Sequence, residues 1–334
     1  MGARKDKTRP ETTITSGPSG TTEATSGGAF VGAFVKDFGA PIYGEFPFQP
    51  YALDNFNRIT GAQHKLALSW KSFGDSSRNT FDAAGAHAAH ARGAVPSVTW
   101  EYWCWECADQ SNYQLRDITA GQHDALIEEW ARDVAAYGKP VHIRWAHEAN
   151  GTWYPYSPGV NGNATGGEEY KAAFRYIVDK FRAAGATNAK FVWCVNEESW
   201  GSTPIEQMYP GDAYVDLVAI DGYNMAAGIN PAWRSFTQIF APTYDKMVNT
   251  VAPTKPVYIG EMSSNEYGGD KAAWIRSAYT QEIPNRFPKL KGVVWFHTDK
   301  TVEEGIDWRV NTSQASLDAY REAIAADYYR AGIP

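Results

Sequence analysis

HIRWAHEANGTWYPYS (His142–Ser157) begins as an apolar-edged strand, sets the carboxylate of Glu148 behind His147 at the strand end, and opens through Gly151 into Trp153, Tyr154 and Tyr156. Such a strand end suits sugar chemistry. The carboxyl passes a proton, and flat rings stack on the C–H faces of a pyranose. The same residues also fit a charged strand end with aromatics packed beneath a loop. A second carboxylate on another strand end separates the two readings, and VYIGEMSSNE supplies one in Glu261.

Outward from that stretch, short apolar runs alternate with helical patterns. Strands are expected at Ala29–Val35, Lys65–Trp70, Ala94–Trp100, Pro140–Ala146, Lys190–Asn196, Val215–Asn224, Pro256–Met262 and Lys291–Thr298. Helices are expected near Tyr51–Thr60, Arg78–Arg92, from a Thr119 N-cap to Gly138, at Tyr170–Phe181, Trp233–Val251 and Lys271–Ile283, and from Thr312 or Ser313 to about Ala326. Nearly continuous apolar strands fit a parallel sheet buried on both faces. Eight βα units in about 300 residues match a single-domain α/β fold, the (β/α)8 TIM barrel, over residues 29–334. A doubly wound open sheet is the rival, but no glycine-rich phosphate turn follows the first strand.

Residues 1–28, rich in Thr, Ser, Gly and Pro, read as a flexible tail. Within it Pro10–Ser26 resembles the first strand and turn of immunoglobulin-like modules that recur in large bacterial surface and secreted proteins. That resemblance implies a remnant of an upstream module and an extracellular, multi-module parent chain.

The chain has 334 residues, 13 of them Trp, and a net charge of -7. Mild acidity without a basic stripe argues against a nucleic-acid partner. No apolar run approaches the ~20 residues of a membrane span. MGARKDK leads into no apolar signal region, so the protein is either cytosolic or its signal lies upstream in a longer chain. A monomer without a cofactor is expected. No metal set is apparent either: His87 and His90 are spaced i,i+3 with no carboxylate or Cys beside them and read as a solvated or packing face. Cys104 and Cys107 form a small local disulfide if the protein is secreted, or else two inert thiols. Cys194 reads as a buried free thiol.

In a barrel of this kind the active site lies at the C-terminal strand ends. Found there are Trp70, Trp100, Arg144, His147, Glu148, Asn196, Asp221, Tyr223, Glu261, Trp295 and His297. Alternation places Glu261 with Ile259 and Val257, Trp295 with Val293, and Tyr223 with Asp221 and Ala219, all pointing inward. Arg144 suits an ion pair at the rim that holds a carboxylate ionised. Paired carboxylates in a sugar-lined cleft suggest glycoside hydrolysis. Asn196-Glu197-Glu198 offers a competing acid, but it follows the fifth strand, so Asn196 reads as a pocket residue and the two glutamates as loop carboxylates. A carbohydrate-binding barrel without turnover would need no Glu148/Glu261 pair. An aldolase or isomerase would want a Schiff-base lysine or a phosphate site, and the strand ends show neither.

Arg144-x-x-His147-Glu148-x-Asn150-Gly151-x-Trp153-Tyr154 resembles glycoside hydrolase family 26, and the resemblance runs from about Phe30 to Asp327. It implies a retaining (β/α)8 barrel with catalytic glutamates after the fourth and seventh strands: Glu148 as acid/base and Glu261 as nucleophile. It further implies that His147 sits beside the acid/base, Tyr223 hydrogen-bonds the nucleophile, Trp295 lies under the sugar at the cleavage point, Trp153 lines the adjoining subsite and Asn196 follows the fifth strand. The polysaccharide substrate it implies is first β-1,4-mannan, cleaved internally, with mixed-linkage β-glucan or an exopolysaccharide second. Trp70, Trp100, Trp153 and Trp295 would then be stacking platforms along an extended groove. Two stretches depart from the family pattern: Tyr154-Pro155-Tyr156, where common family mannanases carry a second Trp, and the Trp100–Asn112 loop with its cysteine pair.

Overall fold

A computed structural model describes residues 28–36, 49–74, 79–225 and 233–334. The Pro10–Ser26 fragment, nearly all of the expected tail and the first residue of the helix expected from Arg78 lie outside them. Eight parallel strands close into a barrel in chain order: β1 (Phe30–Val35), β2 (Leu66–Ser72), β3 (Val95–Glu101), β4 (Val141–Trp145), β5 (Ala189–Asn196), β6 (Leu217–Asn224), β7 (Val257–Ser264) and β8 (Leu290–His297), the last pairing back onto β1. The expected (β/α)8 TIM barrel is the observed fold. A short antiparallel pair, β9 (Asp299–Lys300) and β10 (Ile306–Asp307), follows β8 and has no counterpart in the sequence expectations.

Around the barrel lie α1 (Pro50–Thr60), α2 (Ala83–Ala91), α3 (Leu115–Thr119), α4 (Asp124–Tyr137), α5 (Glu168–Ala183), α6 (Ile205–Met208), α7 (Phe236–Lys246), α8 (Lys271–Ser277), α9 (Ile283–Arg286) and α10 (Gln314–Ile324). Thr119 ends α3 and does not cap α4: Gly121 at φ 76° breaks the chain between them, in a left-handed conformation that glycine adopts at no steric cost. The helix expected from Trp233 begins instead at Phe236, because Ser235 and Gln238 form a capping box. Gly138 closes α4 and Ser313 caps α10, as expected.

Side-chain alternation divides the core in two. Phe30, Phe34, Leu66, Leu68, Trp70, Cys194, Ala219, Tyr258, Val294 and Phe296 pack together inside the barrel. Their strand neighbours, such as Val98, Trp100, Ile143, Trp145, Ile259, Val293 and Trp295, pack outward with the helices. Two expectations fail on this division. Trp295 does share parity with Val293, but both face outward. Its ring is buried against Tyr320 of α10, and it lines no part of the cleft. Trp100 likewise is buried on the outer face, stacked on Trp130 with centroids 4.1 Å apart.

Glu261 reaches the interior by a route that alternation does not give, since Val257 and Ile259 face out. The register between β6 and β7 steps from Ile220↔Ile259 to Asp221↔Glu261, so one extra residue, Gly260, is inserted on β7. That bulge turns Glu261 inward. Gly260 also permits a close approach: a Cβ there would stand 2.5 Å from Asp221 Oδ1.

Candidate active site

The strand ends open into a cleft of about 720 Å³ whose lining includes Trp70, His147, Glu148, Trp153, Asn196, Tyr223 and Glu261. Arg144 lies directly beneath it. Its guanidinium is fully buried on β4, where Thr99 accepts from Nε at 2.8 Å and Asp221 accepts from Nη1 at 2.7 Å. Nη2 donates to Glu261 Oε1, and the Tyr223 hydroxyl donates to Glu261 Oε2. Burial would lower the Arg144 pKa, but the facing charges of Asp221 and Glu261 outweigh it and hold the group well above its ordinary range. Glu261 is therefore fixed through both oxygens.

Glu148 stands just beyond the end of β4 on strained backbone. Ala146 and Glu148 adopt φ of 45° and 52°, a left-handed conformation that costs a side-chain-bearing residue about 1–3 kcal/mol. Surrounding bonds hold that turn: Ala146 N to Trp100 O at 3.1 Å, Glu148 N to Cys194 O at 3.0 Å, and Tyr170 Oη to Ala146 O at 3.1 Å. The carboxylate accepts from Asn196 Nδ2 at 2.9 Å and from Trp153 Nε1 at 3.0 Å. Burial, then the charge of Glu261, push its pKa up to about 7, against the lowering effect of those two donors and Arg144. A carboxyl protonated near neutral pH thus faces one held by a guanidinium and a phenol, and the first can give a proton while the second offers an electron pair.

Burial first, and the charge of Arg144 second, keep the His147 imidazole neutral, its pKa well below the ordinary value. Its Nε2 lies 3.2 Å from the Tyr154 hydroxyl, and the Tyr156 hydroxyl donates to its carbonyl at 3.0 Å. Tyr154 and Tyr156, stacked 4.8 Å apart, are thereby the supports of the histidine. His147, Asp221 and Glu261 present ligand atoms within 4.8 Å of one another. Arg144 already bonds both carboxylates there, and its fixed charge repels a metal ion.

The structure thus brings together Glu148, Glu261, Arg144, His147, Asn196, Tyr223, Trp153 and Trp70, and leaves out Trp100 and Trp295. Glu197 lines the cleft in a 2.6 Å ion pair with Arg234 and makes no bond to Glu148 or Glu261 among the described residues. Sequence reasoning missed Trp308, which follows β10, lines the cleft and packs on Tyr223 at 4.9 Å. It also missed Glu101, Trp103 and Trp105. For Glu101 a signal was present: it shares parity with Ser97 and Thr99, and Thr99 faces the interior against Arg144. Cys104 and Cys107 are joined as a disulfide, and Cys194 is a buried free thiol. No helix of the described residues is long and apolar enough to cross a membrane.

Comparison with known proteins gives a match of the glycosyl hydrolase family 26 model to residues 106–275. Endoglucanase H of Acetivibrio thermocellus is 43% identical over 244 residues, which is 72% of this chain and 25% of that protein, so this chain spans about a quarter of its length. A β-1,3-xylanase, TXYA, from a Vibrio species is 30% identical over 160 residues, 47% of this chain and 30% of that protein. Among solved structures, a family 26 β-mannanase from Bacteroides ovatus has a TM-score of 0.61 at 16% identity, covering 92% of this chain and 90% of that one, a likeness of fold.

Proposed function

This chain belongs to glycosyl hydrolase family 26, and on that premise we propose that it is a retaining, endo-acting hydrolase of a β-linked polysaccharide, with Glu148 as acid/base and Glu261 as nucleophile. The observation that carries the reading is the pair itself: one cleft, one carboxyl with its pKa raised to about 7, and a second bonded by Arg144 and Tyr223. In the first step Glu148 gives its proton to the glycosidic oxygen as the C1–O bond breaks, and a Glu261 oxygen attacks C1 from the opposite face to form a glycosyl ester. In the second, ionised Glu148 takes a proton from water. The water oxygen attacks C1, and Glu261 leaves as a carboxylate. Trp70, Trp153 and Trp308 are among the aromatic surfaces available to sugar rings.

The order of substrates expected from family resemblance, mannan before glucan, is better reversed. The 43% identity to a protein named an endoglucanase favours β-glucan, although that name describes a chain about three times as long. Manno- and gluco-sugars differ in an axial or equatorial 2-OH, and His147, Tyr223 and Asn196 are among the polar groups near the reacting carboxyls. A site built to bond a hydroxyl rejects the analogue that misplaces it, so one polymer should dominate. An extracellular role within a longer multi-module chain belongs to the same proposal. It is supported by the Cys104–Cys107 disulfide, a bond of oxidising compartments. A full-length gene product without a secretion signal would withdraw that part.

The experiment is a reducing-end assay on mannan, glucomannan, barley β-glucan, xylan and bacterial exopolysaccharides, with NMR of the first anomer released. Retention of configuration and a clear preference for β-glucan are expected. Release of the inverted anomer refutes the mechanism, and absence of cleavage on every polymer favours a binding barrel.

A further inference from the structure

Glu101 ends β3 and is almost fully buried, yet the catalytic steps above do not use it. Its Oε2 accepts from two indoles of its own loop, Trp103 Nε1 at 2.9 Å and Trp105 Nε1. Its Oε1 lies 3.8 Å from His147 Nδ1, and His147 Nε2 lies 3.9 Å from Glu261 Oε1. The carboxylate therefore stands one imidazole away from Glu261, with both indole N–H groups turned toward it.

The loop that carries the indoles is tied down at every turn. The Cys104–Cys107 disulfide closes it between and beyond the two tryptophans. The Gln110 side chain accepts from Cys104 N at 3.1 Å and donates to the carbonyls of Cys104 and Cys107 at 2.8 and 2.7 Å. Ser72 Oγ donates to Trp103 O at 2.5 Å, and Gly74 N donates to the same oxygen at 3.1 Å. Gly74 packs so close that a Cβ there would stand 2.2 Å from Cys104 Cβ. A loop whose only task is to connect β3 to α3 needs no such fastening. Rings held this way lose little entropy when a ligand docks, which is the physical advantage of a preorganised platform.

Both indoles line the cleft, and the ring of Trp103 lies 6.0 Å from that of Tyr154. By strand order they stand between Trp70 of β2 and Trp153 after β4. We propose that Trp103 and Trp105 form a further pyranose-binding subsite adjoining the cleavage point, with Glu101 as the positioning residue that fixes both rings and the disulfide as the clamp of their loop. The ligand is one sugar ring of a β-linked chain, held by its C–H face. This rests on the polysaccharide reading above.

The test measures kcat/KM of the full chain on β-glucan oligosaccharides of increasing length, for wild type, Trp103→Ala, Trp105→Ala, Glu101→Ala, Glu101→Gln and the Cys104→Ser/Cys107→Ser pair. The ratio of long- to short-substrate kcat/KM should fall about tenfold in either Trp variant, mainly through KM. Glu101→Ala and the serine pair should lower it too, while Glu101→Gln, which keeps an acceptor for an indole, restores most of it. A ratio unchanged in folded Trp103→Ala and Trp105→Ala overturns the subsite. Equal losses on all lengths mean a structural role only and overturn it as well. Should the wild type cleave no glycan, titration calorimetry with the same oligosaccharides decides separately. Binding lost in Trp103→Ala supports the subsite although catalysis was misread, and no binding to wild type overturns both.

Discussion

Asn196→Ala should move the alkaline limb of the pH–rate profile upward. In wild type the acid must be protonated, so kcat/KM falls as pH rises through the Glu148 pKa, which burial and Glu261 push up to about 7. The Asn196 amide donates to Glu148 Oε1 at 2.9 Å, and that bond is stronger to the ionised form. A hydrogen bond to a charged group contributes ~1.5–3 kcal/mol, against ~0.5–1.5 kcal/mol between neutral partners. The difference, about 1–1.5 kcal/mol, is close to one pKa unit. Removing the amide withdraws support from the carboxylate, so the limb should rise by about one unit while the maximal rate falls from lost substrate contacts. Trp153→Phe removes the donor to the other oxygen and should shift the limb in the same direction. The assay is kcat/KM against pH on a soluble oligosaccharide, normalised to each variant's own maximum. A limb that stays in place, or moves down, in both variants would mean that the titrating acid is not Glu148.

Glu261→Ala should lower kcat by about 10⁴-fold with an unchanged circular dichroism spectrum, because Arg144 keeps Asp221 as its partner, whereas Glu197→Ala should be mild. The reverse ranking in a kinetic assay would hand the acid role to Glu197. Glu261→Gln removes the negative charge that raises the Glu148 pKa, so a ¹³C titration of Glu148 should move down in that variant. Trp295→Ala should cost about 3–5 kcal/mol in denaturant unfolding and leave polymer preference as in wild type, since the ring is packed under α10. A changed preference without lost stability would return Trp295 to the cleft.

The fold was legible because its evidence is redundant. Eight apolar runs spaced by helical patterns admit few closures, and an error of a few residues at Thr119 or Trp233 changes none of them. The pair Glu148 and Glu261 was legible for a related reason: strand ends converge in a parallel barrel wherever the sequence between them wanders. Individual side chains were less so. Period-two alternation says which residues share a face and is silent on which face that is. For Trp295 the parity was right and the side wrong, because the neighbouring Val294 and Phe296 fill the interior while Val293 packs on helices.

Glu261 is the converse case, and it shows where pattern reading meets its physical limit. Val257 and Ile259 face outward, so strict alternation would have buried Glu261 under the helices with no partner for its charge. Gly260 prevents that. As the extra residue in the pairing with β6 it reverses the alternation, and without a side chain it lets Asp221 and Arg144 close over it. One glycine thus sets both the direction of Glu261 and the room for the guanidinium that bonds it. A lone glycine in a strand pattern signals either a bulge or a close backbone approach. At Gly260 it is both, and no rule of spacing distinguishes that glycine from Gly292 in β8. Glu101 escaped for the opposite reason. Its strand is regular and its parity plain, but Trp100 beside it faces the helices, and parity alone does not say which of the two neighbours enters the cleft.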